Sequence, residues 1–518
     1  MELRNKTACA SFTNVKELTV NKGECTTESQ KHLYRIRKHI VPAFFSVLLA
    51  AGAAGCAAMP GIRSNTSAGP AVPYAAPASI LKPMASETET SSAVLEQFRN
   101  ISTLNLEDII NIALENSPQT RMAWLQARAA AGTLGASRAS YFPTVTASAD
   151  FNRYKQSLIG SQLSFLLTTY GFSASVNYLL FNFGGRYAQV RQARYAVIAA
   201  DLSQNYAIQN VILQVEQAYY QYLGEKAMLE AEQKNLENAK VSLEAARDRN
   251  AAGLATIADV LQAKAAYSQA QLALENVEGQ IQIMQGALAT SMGLPANVSL
   301  SVGSLPAQIP DKEISKSIED LIKTAEEHRP DLAAARAQVI EAKAHVHSEL
   351  SAGLPSLALN GTASRTYLYS PPGNPSFDQY SGEVLLEFPL FSGFSTAYSV
   401  YAARQQAKAA DQQLQGQHQQ VILQVWNSYY SLKTAQQSLQ TSEDFLSSAR
   451  QSADVARGMY QQGLGDIISL LNAQNTLALA RAQEIQARTT WFLAMAQLAH
   501  DTGVLTPGYL NGKDSTVP

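Results

Sequence analysis

The chain has 518 residues, of which 16% are charged and 8% aromatic, and a formal net charge of −2. Abundant Ala and Gln with few aromatics favour long packed helices over a conventional enzyme core, and the balanced charge argues against a nucleic-acid partner. Eight of the 40 Lys and Arg and four of the 42 Asp and Glu fall in the first 55 residues, so loss of that leader leaves a chain at −6.

Residues 1–55 have the features of a signal peptide. Lys31 to His39 is a basic stretch, Ile40 to Ala51 is an apolar run too short to span a bilayer, and Ala53-Ala54-Gly55 supplies the small residues of a cleavage site. The basic stretch lies so deep that the first ~30 residues look like a misassigned start. Of the three cysteines, Cys9 and Cys25 leave with the leader, so Cys56 has no internal disulfide partner. Ending the leader on Cys56 resembles a bacterial lipoprotein signal, in which that cysteine is acylated, although Ala53 stands where such signals carry Leu. Ordinary cleavage near Ala57-Ala58 is the alternative. Residues 56–100 follow as a Pro/Ala/Ser-rich arm without periodicity.

From Leu104 the chain is regular and duplicated. Glu107 and Pro118 match Glu319 and Pro330, while Tyr219-Tyr220, Gly253 and Gly293 match Tyr429-Tyr430, Gly463 and Gly503. Residues 101–295 and 296–505 are thus two repeats, each a helix, two strands and a helical hairpin, before a loose tail at 506–518. Strands are expected over 142–156 and 169–183, then over 354–368 and 379–391, because apolar and polar residues alternate there. Aromatics gather at the strand ends: Tyr141, Phe142, Tyr154, Tyr170, Phe181, Phe183, Tyr367, Tyr380, Phe391 and Phe394.

Such strands suit either a soluble sandwich or a lipid-facing barrel wall, and the export signal favours the wall. Four strands cannot close a barrel, and an open edge in lipid leaves backbone groups unpaired at several kcal/mol each. Two chains give a solid eight-stranded barrel and three give twelve strands with room for a lumen.

The helical stretches are too long for a globular core. Gly185 to Asn250 contains no proline, and Tyr222, Leu229, Leu236 and Leu243 recur at heptad spacing, as do Leu432, Leu439, Leu446 and Ala453. In the last helix Glu484 falls on that register, which predicts a weak seam or a wet side there. The hairpin tips are expected over 250–257 and 460–467. Gly253 and Gly463 suit a helix C-terminus, and Thr256 and Asp466 suit N-caps.

The junctions Leu180-Phe181-Asn182-Phe183-Gly184-Gly185 and Leu390-Phe391-Ser392-Gly393, with the tips Gly253-Leu254 through Leu261 and Gly463-Leu464 through Leu471, resemble the TolC-like outer-membrane efflux protein family. The resemblance implies a mainly α chain with a transmembrane β-barrel: a homotrimer whose twelve-stranded barrel continues into a twelve-helix periplasmic α-barrel. It also implies a passive exit duct for efflux or type I export, energised by an inner-membrane pump and docked by a periplasmic adaptor on Gly253, Leu254, Thr256, Gly463, Leu464 and Asp466. Family members constrict the entrance with acids just after the second tip. Ser469 and Asn472 occupy those positions here, which leaves Asp259 and Asp466 as the nearby carboxylates.

No enzyme motif, cofactor or metal site is expected. His345 and His347 diverge on a helix, Glu107 and Asp108 fit a helix N-terminus, and Gly184-Gly185 lacks a phosphate-loop context. The other readings are a non-conducting coiled-coil envelope protein and a periplasmic adaptor, but an adaptor carries one hairpin among small β domains and this chain carries two.

Overall fold

A computed structural model describes residues 104–157, 164–306, 317–369 and 373–505. The leader, Cys56, the arm and the tail lie outside the described residues. Each repeat lays down the same series: α1 (Leu106–Asn116), α2 (Pro118–Arg138), β1 (Thr144–Ser157), β2 (Ser164–Phe181), α3 (Gly185–Ala251) and α4 (Ile257–Ser291), then α5 (Ile318–His328), α6 (Pro330–Ser351), β3 (Ser356–Leu368), β4 (Ser376–Glu387), α7 (Ser395–Gln461) and α8 (Ile467–Asp501).

The four strands form one antiparallel sheet in the order β1-β2-β3-β4, which leaves β1 and β4 as open edges. β2 begins at Ser164 and not at 169, because Leu166-Leu167-Thr168-Thr169 does not alternate yet still pairs with Asn152 to Lys155. β4 stops at Glu387 and not at 391, since Pro389 has no N–H for a ladder.

Helices α3 and α7 each have 67 residues, and α4 and α8 each have 35. At 1.5 Å per residue the long helices run about 100 Å and their return partners about half that. The remaining half of each long helix is covered by the shorter helices that lead to the sheet. Near the sheet the lateral order is α2-α3-α6-α7, and toward the tips it is α4-α3-α8-α7. The helical layer therefore also has two open edges, α2/α4 on one side and α7 on the other. The edge helices expose Met122 and Leu125 on α2 and Leu423, Trp426 and Tyr430 on α7.

The heptad positions form the seam. Tyr222, Leu243, Leu432, Leu439, Ile281 and Leu288 are buried, and Leu229, Leu236 and Leu446 are half-buried. Glu484 departs from the expected weak or wet seam: it is buried, and Arg488 one turn on forms an ion pair with it. Burial raises its carboxyl pKa, and Arg488 opposes that rise. Pairing within one helix lets a charge occupy a core register without a partner from another element.

Glu216 is the less compensated group. It is 4% exposed on α3, and desolvation pushes its carboxyl up to about 7. A raised acid pKa means that stability is undiminished below pH 4.5, falls as the unfolded carboxyl ionises, and stays lower above pH 7. The rise from the ordinary value of 4.5 corresponds to about 3 kcal/mol. Glu216→Gln is expected to raise the thermal midpoint at pH 8 and leave it unchanged at pH 4.5. Equal midpoints at pH 8 would contradict the assignment.

The middle of the helical layer is held by polar contacts, of which His500–Asn210 and Gln209–Gly503 cross between the repeats. Within the second repeat, Arg329 is buried, pairs with Asp331 at 2.7 Å and donates to the Asp501 carbonyl. His500 bridges Asp501 and Asn210, and Gln209 donates to the Gly503 carbonyl.

Candidate functional site

The two hairpin tips are built alike from local turn chemistry. Gly253 and Gly463 have φ of 72° and 76°, a conformation that glycine enters without strain. Leu254 N–H donates to the Arg249 carbonyl and Gly253 N–H to the Asn250 carbonyl, the paired bonds of a Schellman end; Leu464 and Gly463 repeat them on Met459 and Tyr460.

The return helices are capped differently. Thr256 and Asp259 exchange side chain to backbone bonds of 3.2 and 2.8 Å, a capping box. Asp466 accepts from the Ser469 N–H at 2.7 Å and from its hydroxyl at 3.0 Å. Those two bonds hold the exposed Asp466 carboxyl below the usual range. Beyond the caps, Leu254 and Leu464 are 71% and 72% exposed and Ile257 and Ile468 are exposed beside them, an apolar end left uncovered among the described residues.

A contact between the hairpins joins the two tips. Arg249 on α3 donates to the Tyr460 carbonyl on α7 at 2.6 Å, and its guanidinium lies 4.7 Å from the centre of the Tyr460 ring. Tyr460 is buried, and burial pushes its phenol up against the opposing charge of Arg249. Arg249 thus places a cation at the C-terminal end of α7, where the helix dipole favours one. Among the expected site residues, the structure joins Thr256 to Asp259 and Asp466 to Ser469, sets Gly463 beside Arg249, and leaves Asn472 exposed one turn further along.

At the other end of the molecule, residues paired across the sheet share a face. Val145, Ala147, Phe172, Ala174, Val176, Leu359, Ala363, Tyr380 and Val384 lie on one side, and Thr146, Ser148, Ser173, Ser175, Thr362, Ser364, Gln379 and Ser381 lie on the other. The apolar side ends near the β-turns in a stacked Tyr170–Tyr367 pair and a bidentate Arg365–Asp378 pair. Its opposite end carries Phe181, Phe183, Phe391 and Phe394 in edge-to-face pairs. An apolar band between aromatic borders, backed by hydroxyls, is the pattern of a lipid-facing wall.

The outer membrane efflux protein family model matches residues 109–294 and 321–504. The chain belongs to the outer membrane efflux protein family. This efflux protein is 27% identical over 394 residues to the protein CyaE of Bordetella pertussis, covering 74% of this chain and 81% of CyaE. It is 25% identical over 443 residues to the pyoverdine export outer membrane protein OpmQ of Pseudomonas putida, covering 82% and 91%. Its fold matches the outer-membrane channel OprN with a TM-score of 0.69 at 21% identity, covering 79% of this chain and 91% of that one. VceC of Vibrio cholerae matches with a TM-score of 0.67 at 22% identity, covering 77% and 96%. The efflux protein resides in the outer membrane and acts as an efflux channel of a tripartite system.

Arg249 and Tyr460 escaped the sequence reading because 211 residues separate them. The available signal was a break in the duplication: Arg249 and Asn250 correspond to Met459 and Tyr460, so the copies differ where they touch.

Proposed function

We propose that the efflux protein works as a homotrimer, with twelve strands closing a barrel in outer-membrane lipid and twelve helices continuing it as a periplasmic duct. The observation that carries this reading is the coincidence of open edges. The sheet is open at β1 and β4 and the helical layer at α2/α4 and α7, so one rotation can mate unlike edges in both layers. Closing the wall removes unpaired backbone from lipid, and the exposed Leu423, Trp426 and Tyr430 on α7 gain a cover. In this arrangement the hydroxyl-rich face lines the lumen and the duct conducts passively, with transport driven by an inner-membrane pump.

A periplasmic adaptor would dock on Gly253, Leu254, Thr256, Gly463, Leu464 and Asp466. The exposed leucines offer apolar area, and burying one such side chain contributes about 2 kcal/mol. Leu464→Asp is expected to weaken adaptor crosslinking in cells by about tenfold or more while the trimer persists, and Gly463→Pro should act in the same direction. Unchanged crosslinking in both would remove the docking role. Asp259 and Asp466, followed by Ser469 and Asn472, would ring the entrance as its constriction. Acylation of Cys56 would anchor the arm, and intact mass of the membrane-extracted chain reads it directly.

The channel reading is tested by single-channel recording in planar bilayers. Discrete conductance steps are expected. A correctly assembled protein that shows none, even with its tips loosened, would leave a structural coiled-coil role.

A further inference from the structure

The charges of the sheet are sorted by face. Asp150, Glu383 and Glu387 stand on the hydroxyl-rich side, where no Lys or Arg is present among the described residues. Arg153, Lys155 and Arg365 stand on the apolar side with Asp378, all toward the β-turn end. We infer that the carboxylates of the barrel wall, and not those of the tips, make this duct prefer cations and cationic cargo over anions. The inference rests on the trimeric duct proposed above.

The register gives these acids their places. Thr144, Asn177, Asn360 and Glu383 form one row across the four strands, and Asp150, Gly171, Thr366 and Phe377 form another. Glu383 and Phe377 are six residues apart on β4, so the two rows lie about 20 Å apart along the strand. Glu387 is two pleat repeats beyond Glu383, nearer the helices, opposite Ser356. Between the acid rows the wall carries only hydroxyls and amides, and the Ser148 and Ser173 hydroxyls bond to each other at 2.7 Å. Asn360, directly across from Glu383, keeps a shielded Oδ1 with no donor, so acceptors outnumber donors in that row. In a trimer the wall carries three times these three carboxylates, with no Lys or Arg on that face of the sheet among the described residues.

The size of the lumen decides whether such charges matter. Twelve strands spaced about 4.8 Å apart and tilted about 40° give a backbone radius of about 12 Å. Side chains reduce the open radius to roughly 7 Å. The Debye length is about 30 Å at 0.01 M salt, 10 Å at 0.1 M and 3 Å at 1 M. Wall carboxylates therefore polarise the whole cross-section in dilute salt and lose the axis at 1 M. At the tips, by contrast, Asp259 and both oxygens of Asp466 are engaged in helix caps, which spreads their charge onto backbone N–H groups and the Ser469 hydroxyl.

The test is the reversal potential across a tenfold KCl gradient, recorded on the assembled protein with its tips opened by Arg249→Ala so that the wall contributes to the resistance. K+ should be favoured over Cl− by about threefold or more at low salt and hardly at all near 1 M. Asp150→Asn with Glu383→Gln and Glu387→Gln should abolish the preference, and Glu383→Lys alone should reduce or reverse it. Asp378→Asn, on the lipid side, should leave it unchanged. A preference that survives the triple neutralisation and the Glu383→Lys reversal overturns the inference while the duct stands. Absence of conductance in every variant overturns the duct reading and the inference with it.

Discussion

Replacing Arg249 by Ala is expected to loosen the tips and raise the open probability of the duct by about tenfold or more, with trimer assembly intact. Arg249 makes the bond to the Tyr460 carbonyl and the contact with its ring that join α3 to α7 at this end. A hydrogen bond from a charged donor contributes about 1.5–3 kcal/mol and a partly exposed cation–π contact about 0.5–1 kcal/mol. Discounting for the half-exposed guanidinium leaves about 2 kcal/mol, which is more than a tenfold shift in a two-state equilibrium. The neighbouring caps do not replace it, because Thr256 with Asp259 and Asp466 with Ser469 act within single tips. Arg249→Lys should give an intermediate result, since an ammonium keeps the charge but cannot span carbonyl and ring with the same planar group. Single-channel open probability reads the effect, and equal values for wild type and Ala would refute the joint.

The largest losses of stability are expected at the glycines where each hairpin ends near the middle of the helical layer. Gly293 has φ of 74°, and a Cβ there would lie 2.8 Å from the Asn116 carbonyl oxygen. Gly503 has φ of 76°, and its Cβ would meet the Arg329 nitrogen and the His328 carbonyl carbon at 2.9 Å. A side chain at either site combines left-handed strain of about 1–2 kcal/mol with overpacking of about 1–3 kcal/mol against backbone that cannot turn aside. Gly293→Ala or Gly503→Ala should therefore cost about 3 kcal/mol and lower the thermal midpoint by several degrees. Gly253→Ala is the comparison. Its φ of 72° is similar, but open space surrounds the added Cβ, so only the strain remains. Equal losses at Gly253 and Gly503 would contradict the packing argument.

Periodicity made much of this architecture visible in the sequence. Alternation exposed the two-faced character of the strands, and the heptads marked the seam, because both are local consequences of backbone geometry. Where Leu166 to Thr169 breaks the alternation, the start of β2 was not visible, and pairing with β1 supplies what pattern could not. The heptad pattern showed Glu484 in the seam but not the rotamer of Arg488 that lets it stay there. At the tips, the glycine and cap chemistry was local, whereas the Arg249–Tyr460 joint depends on how two hairpins meet and left only a mismatch between the repeats. The sorting of charge by sheet face depends on the register across all four strands, which places Asp150 on the side of Glu383.

The duct depends on three chains closing one wall from mated edges. Native mass spectrometry of the detergent-extracted protein tests it most directly. A single dominant assembly of three copies is expected. A stable monomer, a dimer with only eight strands, or a mixture without a trimer would contradict it.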